Sequence, residues 1–290
     1  MSALEQHTVS ANGVDFTYLA MGNGPLALCL HGFPDSAHGW RHMLPALAAA
    51  GYRAVAPFQR GYAPTSVPVS GLYQSGVLGV DANALHEALR ADGDAVIIGH
   101  DWGASGTYTA ATLEPNRWRK VVAMAVPPGP AIAMAFLGNF DQLKRSWYMF
   151  FFQHPLSDLV VPANDLEFID RIWRDWSPGY DGAVDVANVK DALRDPANLA
   201  AALGYYRATL GDGLKDPSLD AAQASTQQFP TQPTLYLHGR NDGCIGIEVA
   251  ELAASMAPAH VEFRTVEGAG HFLQLEQPDT VNGLVLEFLA

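Results

Sequence analysis

Along the chain, short apolar runs alternate with stretches whose apolar residues recur at helical spacing. Residues 7–10 and 14–19 alternate like strands around Ala11-Asn12-Gly13. Asn-Gly between two such runs predicts a hairpin. Leu26–Leu30 is unbroken and apolar, as a strand buried on both faces should be. It ends in His31-Gly32-Phe33-Pro34. Residues 40–50 predict a helix stopped by Gly51, and Arg53–Pro57 a further buried strand. The loop Gln59-Arg60-Gly61-Tyr62-Ala63-Pro64-Thr65-Ser66 follows. Residues 77–90 carry Val80, Leu85 and Leu89 at helical spacing. The run 95–98 predicts a strand, Gly99-His100-Asp101-Trp102-Gly103 a turn, and Ala104-Ser105-Gly106-Thr107 a helix start. Residues 120–126 predict another strand, closed by Pro127-Pro128-Gly129-Pro130.

Strands alternating with helices imply a mostly parallel sheet with helices on both faces, an α/β fold. Sites in such sheets form at the carboxyl ends of the strands. From about 131 to about 228 the strand signals vanish. Residues 140–152 read as a helix dense in aromatics, and 166–173, 184–193 and 197–210 as further helices. The alternation then resumes, with strands at 234–238 and Val261–Val266 and helices at Ile247–Met256 and 281–289. The expected organisation is a core formed by residues 1–130 and 229–290, with an all-helical cap over 131–228.

Composition narrows the class. The chain has 290 residues, 49 % hydrophobic and 16 % charged, which suits a well-packed globular protein. A net charge of -13 opposes contact with phosphate backbones and anionic lipid, so no nucleic-acid partner is expected. Cys29 and Cys244 make neither a disulfide framework nor a metal site. The opening residues Met1 to His7 lack a basic region followed by an apolar core, so no signal peptide is read there. No apolar stretch reaches the roughly 18 residues of a membrane span. The expectation is a cytoplasmic monomer or homodimer.

The residue that narrows the chemistry most is Asp101. Gly99 and Gly103 flank it in a strand-turn-helix context, the setting of a nucleophile elbow. An esterase has Ser at this apex. A carboxylate there attacks carbon and becomes an ester. Asp is ionised near neutral pH without help, since its ordinary pKa is about 3.9. A base is needed only afterwards, to activate water against that ester, and His271 in Gly268-Ala269-Gly270-His271-Phe272 suits the task. Asp242, in Gly239-Arg240-Asn241-Asp242-Gly243, would hold the imidazole in the right tautomer. Phe33 and Trp102 backbone N–H groups would make an oxyanion hole. Blander roles exist for each: a helix cap for Asp101, a turn-former for Asp242, a structural histidine for His271. His100 reads as a packing residue beside the apex.

Together, Gly99-His100-Asp101-Trp102-Gly103, His31-Gly32-Phe33-Pro34, Arg60-Gly61-Tyr62 and Gly270-His271-Phe272 resemble the α/β-hydrolase-fold epoxide hydrolases. The resemblance implies a cap carrying two tyrosines that hold the epoxide oxygen. Tyr148 matches the first through Tyr148-Met149-Phe150-Phe151-Phe152-Gln153-His154-Pro155. Tyr206 matches the second through Tyr205-Tyr206-Arg207, with Tyr205 as its adjacent rival. A phenol stays protonated at neutral pH and can donate to a developing alkoxide. Phe58 stands where relatives often have Asp. The implied reaction converts an epoxide and water to a vicinal diol through a hydroxyalkyl ester on Asp101, with no cofactor or metal. The aromatic cap predicts a small, largely apolar epoxide. His31, Pro34, Trp147 and Phe151 are expected to line its pocket. The rival on the same residues is a haloalkane or haloacid dehalogenase, although haloacid enzymes place Arg where this chain has Trp102. A catalytically silent binding protein is the rival from another class.

Overall fold

A computed structural model describes residues 4–290; Met1–Ala3, part of the N-terminal stretch read as lacking a signal peptide, lie outside the described residues. Eight strands form one sheet in the order β1-β2-β4-β3-β5-β6-β7-β8. The first hairpin joins β1 (Glu5–Ala11) to β2 (Val14–Met21), turning on Asn12 at φ 45° and Gly13 at φ 70°. Positive φ at both central residues is what a tight hairpin of this twist requires, and Asn-Gly supplies it. β1 and β2 are antiparallel, and β2 meets β4 (Arg53–Pro57) antiparallel as well.

The other strands are parallel: β3 (Leu26–Leu30), β5 (Val96–His100), β6 (Lys120–Met124), β7 (Thr234–Gly239) and β8 (Val261–Val266). β3, β5 and β7 are buried at every residue, because helices cover both faces. Those helices are α1 (Met43–Ala49), α2 (Gly76–Ala88) and α3 (Trp102–Leu113) from the first part of the core.

Between β6 and β7 come only helices: α4 (Ala131–Gly138), α5 (Phe140–Arg145), α6 (Trp147–Phe151), α7 (Ser157–Val160), α8 (Ala163–Trp176), α9 (Ala183–Leu193), α10 (Pro196–Leu210) and α11 (Asp220–Ser225). The core then closes with α12 (Ile247–Met256), α13 (Leu273–Glu276) and α14 (Pro278–Leu289). Where the sequence predicts one helix over 140–152, the structure has two. Ser146 breaks the run, with its hydroxyl accepting from Gln142 Nε2 at 3.0 Å. No helix of the described residues is long and apolar enough to cross a membrane.

The interhelical segment is sealed onto the core by a continuous apolar cluster. It runs from Trp40 and Phe58 beside the sheet through Tyr148, Phe152, Trp173 and Tyr206 in the helices above. Four of the loops at the carboxyl ends of parallel strands, those after β3, β5, β7 and β8, reach this seam, and they carry the candidate chemistry.

Candidate active site

The chain leaves β5 at His100 and enters α3 at Trp102, so Asp101 alone must turn the corner, at φ 54° and ψ -119°. That conformation is costly for a residue with a side chain and persists only where the surroundings enforce it. They do so by close approach. A Cβ on Gly99 would collide with the Gly103 carbonyl, and one on Gly103 with the Leu30 carbonyl. The Asp101 carboxylate makes no capping hydrogen bond to α3, so the helix-cap role is not the one it plays.

Its two oxygens are differently placed. Oδ1 accepts a hydrogen bond from Phe33 N–H at 2.7 Å, and the nearby Trp102 N–H helps to hold the carboxylate's charge. Oδ2 lies 3.7 Å from His271 Nε2. Gly32 is needed here too, since a Cβ on it would occupy the place of Asp101 Oδ1. The loop that aims Phe33 is held by His31. Its Nδ1 donates to the Gly32 carbonyl at 2.9 Å, and its Nε2 accepts from Gln59 N–H at 3.0 Å. Burial pushes the His31 pKa down to about 4, so the ring is neutral, as that pair of bonds requires.

His271 sits in the loop after β8, and its Nδ1 donates to Asp242 Oδ2 at 2.9 Å. Asp242 follows β7, and its Oδ1 accepts from Cys244 N–H at 2.7 Å and Ile245 N–H at 2.9 Å. Both loops hang from one group: the Trp176 carbonyl, at the end of α8, accepts from Gly243 N–H and from His271 N–H, each at 3.0 Å. His100 Nε2 donates to the His271 carbonyl at 2.8 Å. Gln142 of α5 grips the acid loop from above. Its Nε2 donates to the Cys244 carbonyl at 2.9 Å, and its Oε1 accepts from Gly246 N–H at 2.8 Å.

The electrostatics follow from this arrangement. Burial raises the pKa of Asp101, against the pull of the His271 charge and the two N–H donors. Burial also works to raise Asp242, but the charge and hydrogen bond of His271 overcome it and hold that carboxyl low. For His271 burial works downward, and Asp242 followed by Asp101 overcomes it, so the imidazole is raised above its ordinary 6.5. Its Nε2, buried and without a partner, faces Asp101.

Two cap tyrosines complete the cluster. Tyr206 and Asp101 line the same cavity, of about 210 Å³. The Tyr206 hydroxyl is buried and has no hydrogen-bond partner, although the Trp102 indole lies close by. Tyr205, the adjacent rival, faces away and donates to the Arg60 carbonyl at 2.8 Å. Tyr148 packs edge-on against Tyr206, with ring centroids 5.6 Å apart. It is not part of the cavity wall, and its hydroxyl meets Cys244 Sγ at 3.3 Å. Burial, and then for Tyr206 the charge of Asp101, pushes both phenols well above their ordinary pKa, so both remain proton donors.

The four expected pocket residues are not brought to this cavity. His31 is fully buried and engaged with Gly32 and Gln59, so it shapes the oxyanion loop. Pro34 lies under α8, where its carbonyl accepts from Trp173 Nε1 at 2.8 Å. Trp147 is 48 % exposed and packs with Phe151 and Phe168 on the outer side of the cap. Phe151 stacks on Phe168 at 6.0 Å. The wall is instead supplied by Ile132 and Phe136 of α4, Met149 of α6, Thr209 of α10 and Ile245 of the acid loop. The apolar run Ala131–Leu137 after Pro130 is a signal that could have found the first two. Nothing in the sequence singles out Gln142 or Trp176.

Asp242, Cys244 and His271 offer ligand atoms within 4.8 Å of one another. They are poorly prepared for a metal ion. Burial, then the charges of Asp242 and Asp101, holds the Cys244 thiol well above its ordinary pKa, and His271 Nδ1 and Asp242 Oδ2 are committed to each other.

With this geometry in place, comparison with known proteins is informative. Residues 25–278 match the model of the alpha/beta hydrolase fold. The chain is 31 % identical to the AB hydrolase superfamily protein YfhM of Bacillus subtilis over 296 residues, covering 100 % of this chain and 99 % of that one. It is 30 % identical to epoxide hydrolase A of Mycobacterium tuberculosis over 325 residues, covering 100 % of this chain and 98 % of that one. Among solved structures, the epoxide hydrolase of Bacillus megaterium with a bound inhibitor superposes with a TM-score of 0.80 at 26 % identity, over 98 % of this chain and 99 % of that one.

Proposed function

The chain belongs to the α/β-hydrolase-fold epoxide hydrolase family, and we propose that it converts an epoxide and water to a vicinal diol through a hydroxyalkyl ester on Asp101. The observation that carries this reading is the division of labour at Asp101. One oxygen already rests on the Phe33 N–H, while the other faces His271 beside a cavity that Tyr206 lines.

In the first step Asp101 Oδ2 attacks a ring carbon. The carbon–oxygen bond breaks, its electron pair stays on the ring oxygen, and a tyrosine hydroxyl donates its proton there. Tyr206 gives this proton, a role supported by its place in the cavity wall, and Tyr148 packs edge-on against it. The ester carbonyl is then Oδ1, which is already in its hole. In the second step His271 Nε2 takes a proton from water, and the hydroxide adds to the Asp101 carboxyl carbon. Phe33 and Trp102 N–H groups stabilise the oxyanion on Oδ1. Collapse releases the diol, restores the carboxylate with one oxygen from water, and returns the His271 proton to replace the one the phenol gave up.

Esterification also prepares the base. Asp101 in its charged form helps to raise the His271 pKa. The neutral ester removes that contribution, so the imidazole sheds its proton more readily when it must accept one from water.

A dehalogenase would use the same Asp and His, and the unpartnered indole N–H of Trp102 in the cavity is a feature that a halide could use. The phenol beside it suits an alkoxide better. The test is an assay of styrene oxide and a set of terminal epoxides for diol, run beside haloalkanes for halide release. Diol without halide is the expected result, and halide without diol would replace this reading with the dehalogenase.

A further inference from the structure

The loop that carries His271 is held at three consecutive backbone N–H groups. The middle one, of His271 itself, donates to the Trp176 carbonyl at 3.0 Å. The two beside it lead to one carboxylate. Gly270 N–H donates to Glu276 Oε2 at 2.8 Å. Phe272 N–H donates to Ser177 Oγ at 3.2 Å, and the Ser177 hydroxyl donates in turn to Glu276 Oε1 at 2.6 Å. Ser177 ends α8 and so arrives from the cap, whereas Glu276 closes α13 in the core. The approach is close: a Cβ on Gly270 would meet Ser177 Cα and the Trp176 carbonyl at 2.7 Å.

Neither proposed chemical step uses Glu276. Burial disfavours its charge, and the groups that offset this are the Ser177 hydroxyl, the Gly270 N–H and the charge of His271. A carboxylate withdrawn from water persists where it is hydrogen-bonded or paired. Here both oxygens are spent on the loop of the base. Asp242 fixes the imidazole from Nδ1, and Glu276 fixes the chain from which the imidazole hangs.

We propose that Glu276 is a positioning residue for the base: it pins the backbone on both sides of His271, directly at Gly270 and through Ser177 at Phe272, and so keeps Nε2 aimed at Asp101. This rests on the covalent two-step reading of the site. Three carboxylates act on His271: Asp242 from the acid loop, Asp101 from the elbow and Glu276 from α13. The adjacent His100 and His238 are kept neutral by burial. Once Asp101 is an ester, Asp242 and Glu276 are the carboxylates left to favour the imidazolium that forms as water loses its proton.

The test follows the two steps separately in single turnovers, by rapid quench. Formation of the ester does not use the base, so Glu276→Gln should form it at close to the wild-type rate. Its hydrolysis should slow about tenfold, part of the roughly hundredfold that a 1 Å misplacement costs, because Gln offers one acceptor where the loop uses two. The acid limb of hydrolysis should also move to lower pH, since an uncharged amide no longer favours the imidazolium. Ser177→Ala breaks the Phe272 link and keeps the carboxylate, so it should slow hydrolysis and leave the acid limb in place. Wild-type hydrolysis in both variants would overturn the proposal while leaving the covalent route intact. Equal slowing of both steps with an unmoved limb in Glu276→Gln would also overturn it, as general damage. Should that variant fail to fold, an unchanged hydrolysis rate in Ser177→Ala would overturn it alone. Absence of the ester in the wild type and both variants, while diol is made, would overturn the covalent reading and this one with it.

Discussion

At the scale of single residues, the site depends on which groups carry protons and when. His271 is raised in the resting enzyme by Asp242 and then Asp101, and on the proposed route the second of these falls silent on esterification. A base works only when neutral, so hydrolysis of the ester rises with pH through the His271 pKa. The acid limb of ester hydrolysis, followed in single turnovers, should therefore lie below the pH at which His271 titrates in the free enzyme by NMR. A limb at or above that pH would show that Asp101 does not influence the base. Tyr206 makes a second prediction. Tyr206 lines the cavity with Asp101 and its buried hydroxyl has no partner, so on the proposed route Tyr206→Phe should slow formation of the ester about a hundredfold, as loss of one preorganised donor does. Rapid-quench measurement of the ester separates this from any effect on its hydrolysis. The convergence of Asp101, Asp242 and His271 was legible in sequence because the elbow glycines, the Gly-rich histidine loop and the order of the three are local patterns. The choice between Tyr205 and Tyr206 was not. Neighbours on a helix point about 100° apart, and only packing shows which of them meets the cavity.

At the scale of elements, the motif Arg60-Gly61-Tyr62 turns out to hold the fold. Arg60 is buried, and its guanidinium pairs with Asp81 of α2 at 2.5 and 2.6 Å. Its carbonyl receives the Tyr205 hydroxyl, which ties α10 to the core. Removing one partner leaves a buried charge uncompensated. Asp81→Asn should cost roughly 3 kcal/mol of stability, read as a lower denaturant midpoint with an unchanged slope. A shift too small to detect would mean that water or another group compensates Arg60. Element prediction from sequence succeeded where the pattern was strong. β3, β4, β8 and α12 begin and end as the runs imply. It failed for α7, α11 and α13, which have at most six residues each and so too few turns to show a period. α4 escaped for another reason: Ala131–Gly138 is apolar all round and carries no helical stripe.

At the scale of the whole molecule, loops at the ends of the sheet carry Asp101, Asp242 and His271, and the segment between β6 and β7 carries Tyr148, Tyr206 and most of the cavity wall. The two parts are fastened at the places where the chemistry needs precision. Trp176 binds both the acid and histidine loops through one carbonyl, Gln142 clamps the acid loop, and Trp173 stacks on Phe272 with ring centroids 3.5 Å apart. This is also why His31, Pro34, Trp147 and Phe151 were misplaced as pocket residues. The sequence shows that aromatic helices cover the sheet, but the covering face is a property of how the two parts dock.

The most direct measurement is the intact mass of the His271→Gln protein after incubation with an epoxide that the wild type converts to diol. With Asp101 able to attack and no base to release it, the mass should rise by that of one whole epoxide, the label should map to the Asp101 peptide, and Asp101→Asn in the same protein should abolish it. An unmodified His271→Gln protein, under conditions where the wild type makes diol, would contradict the covalent route.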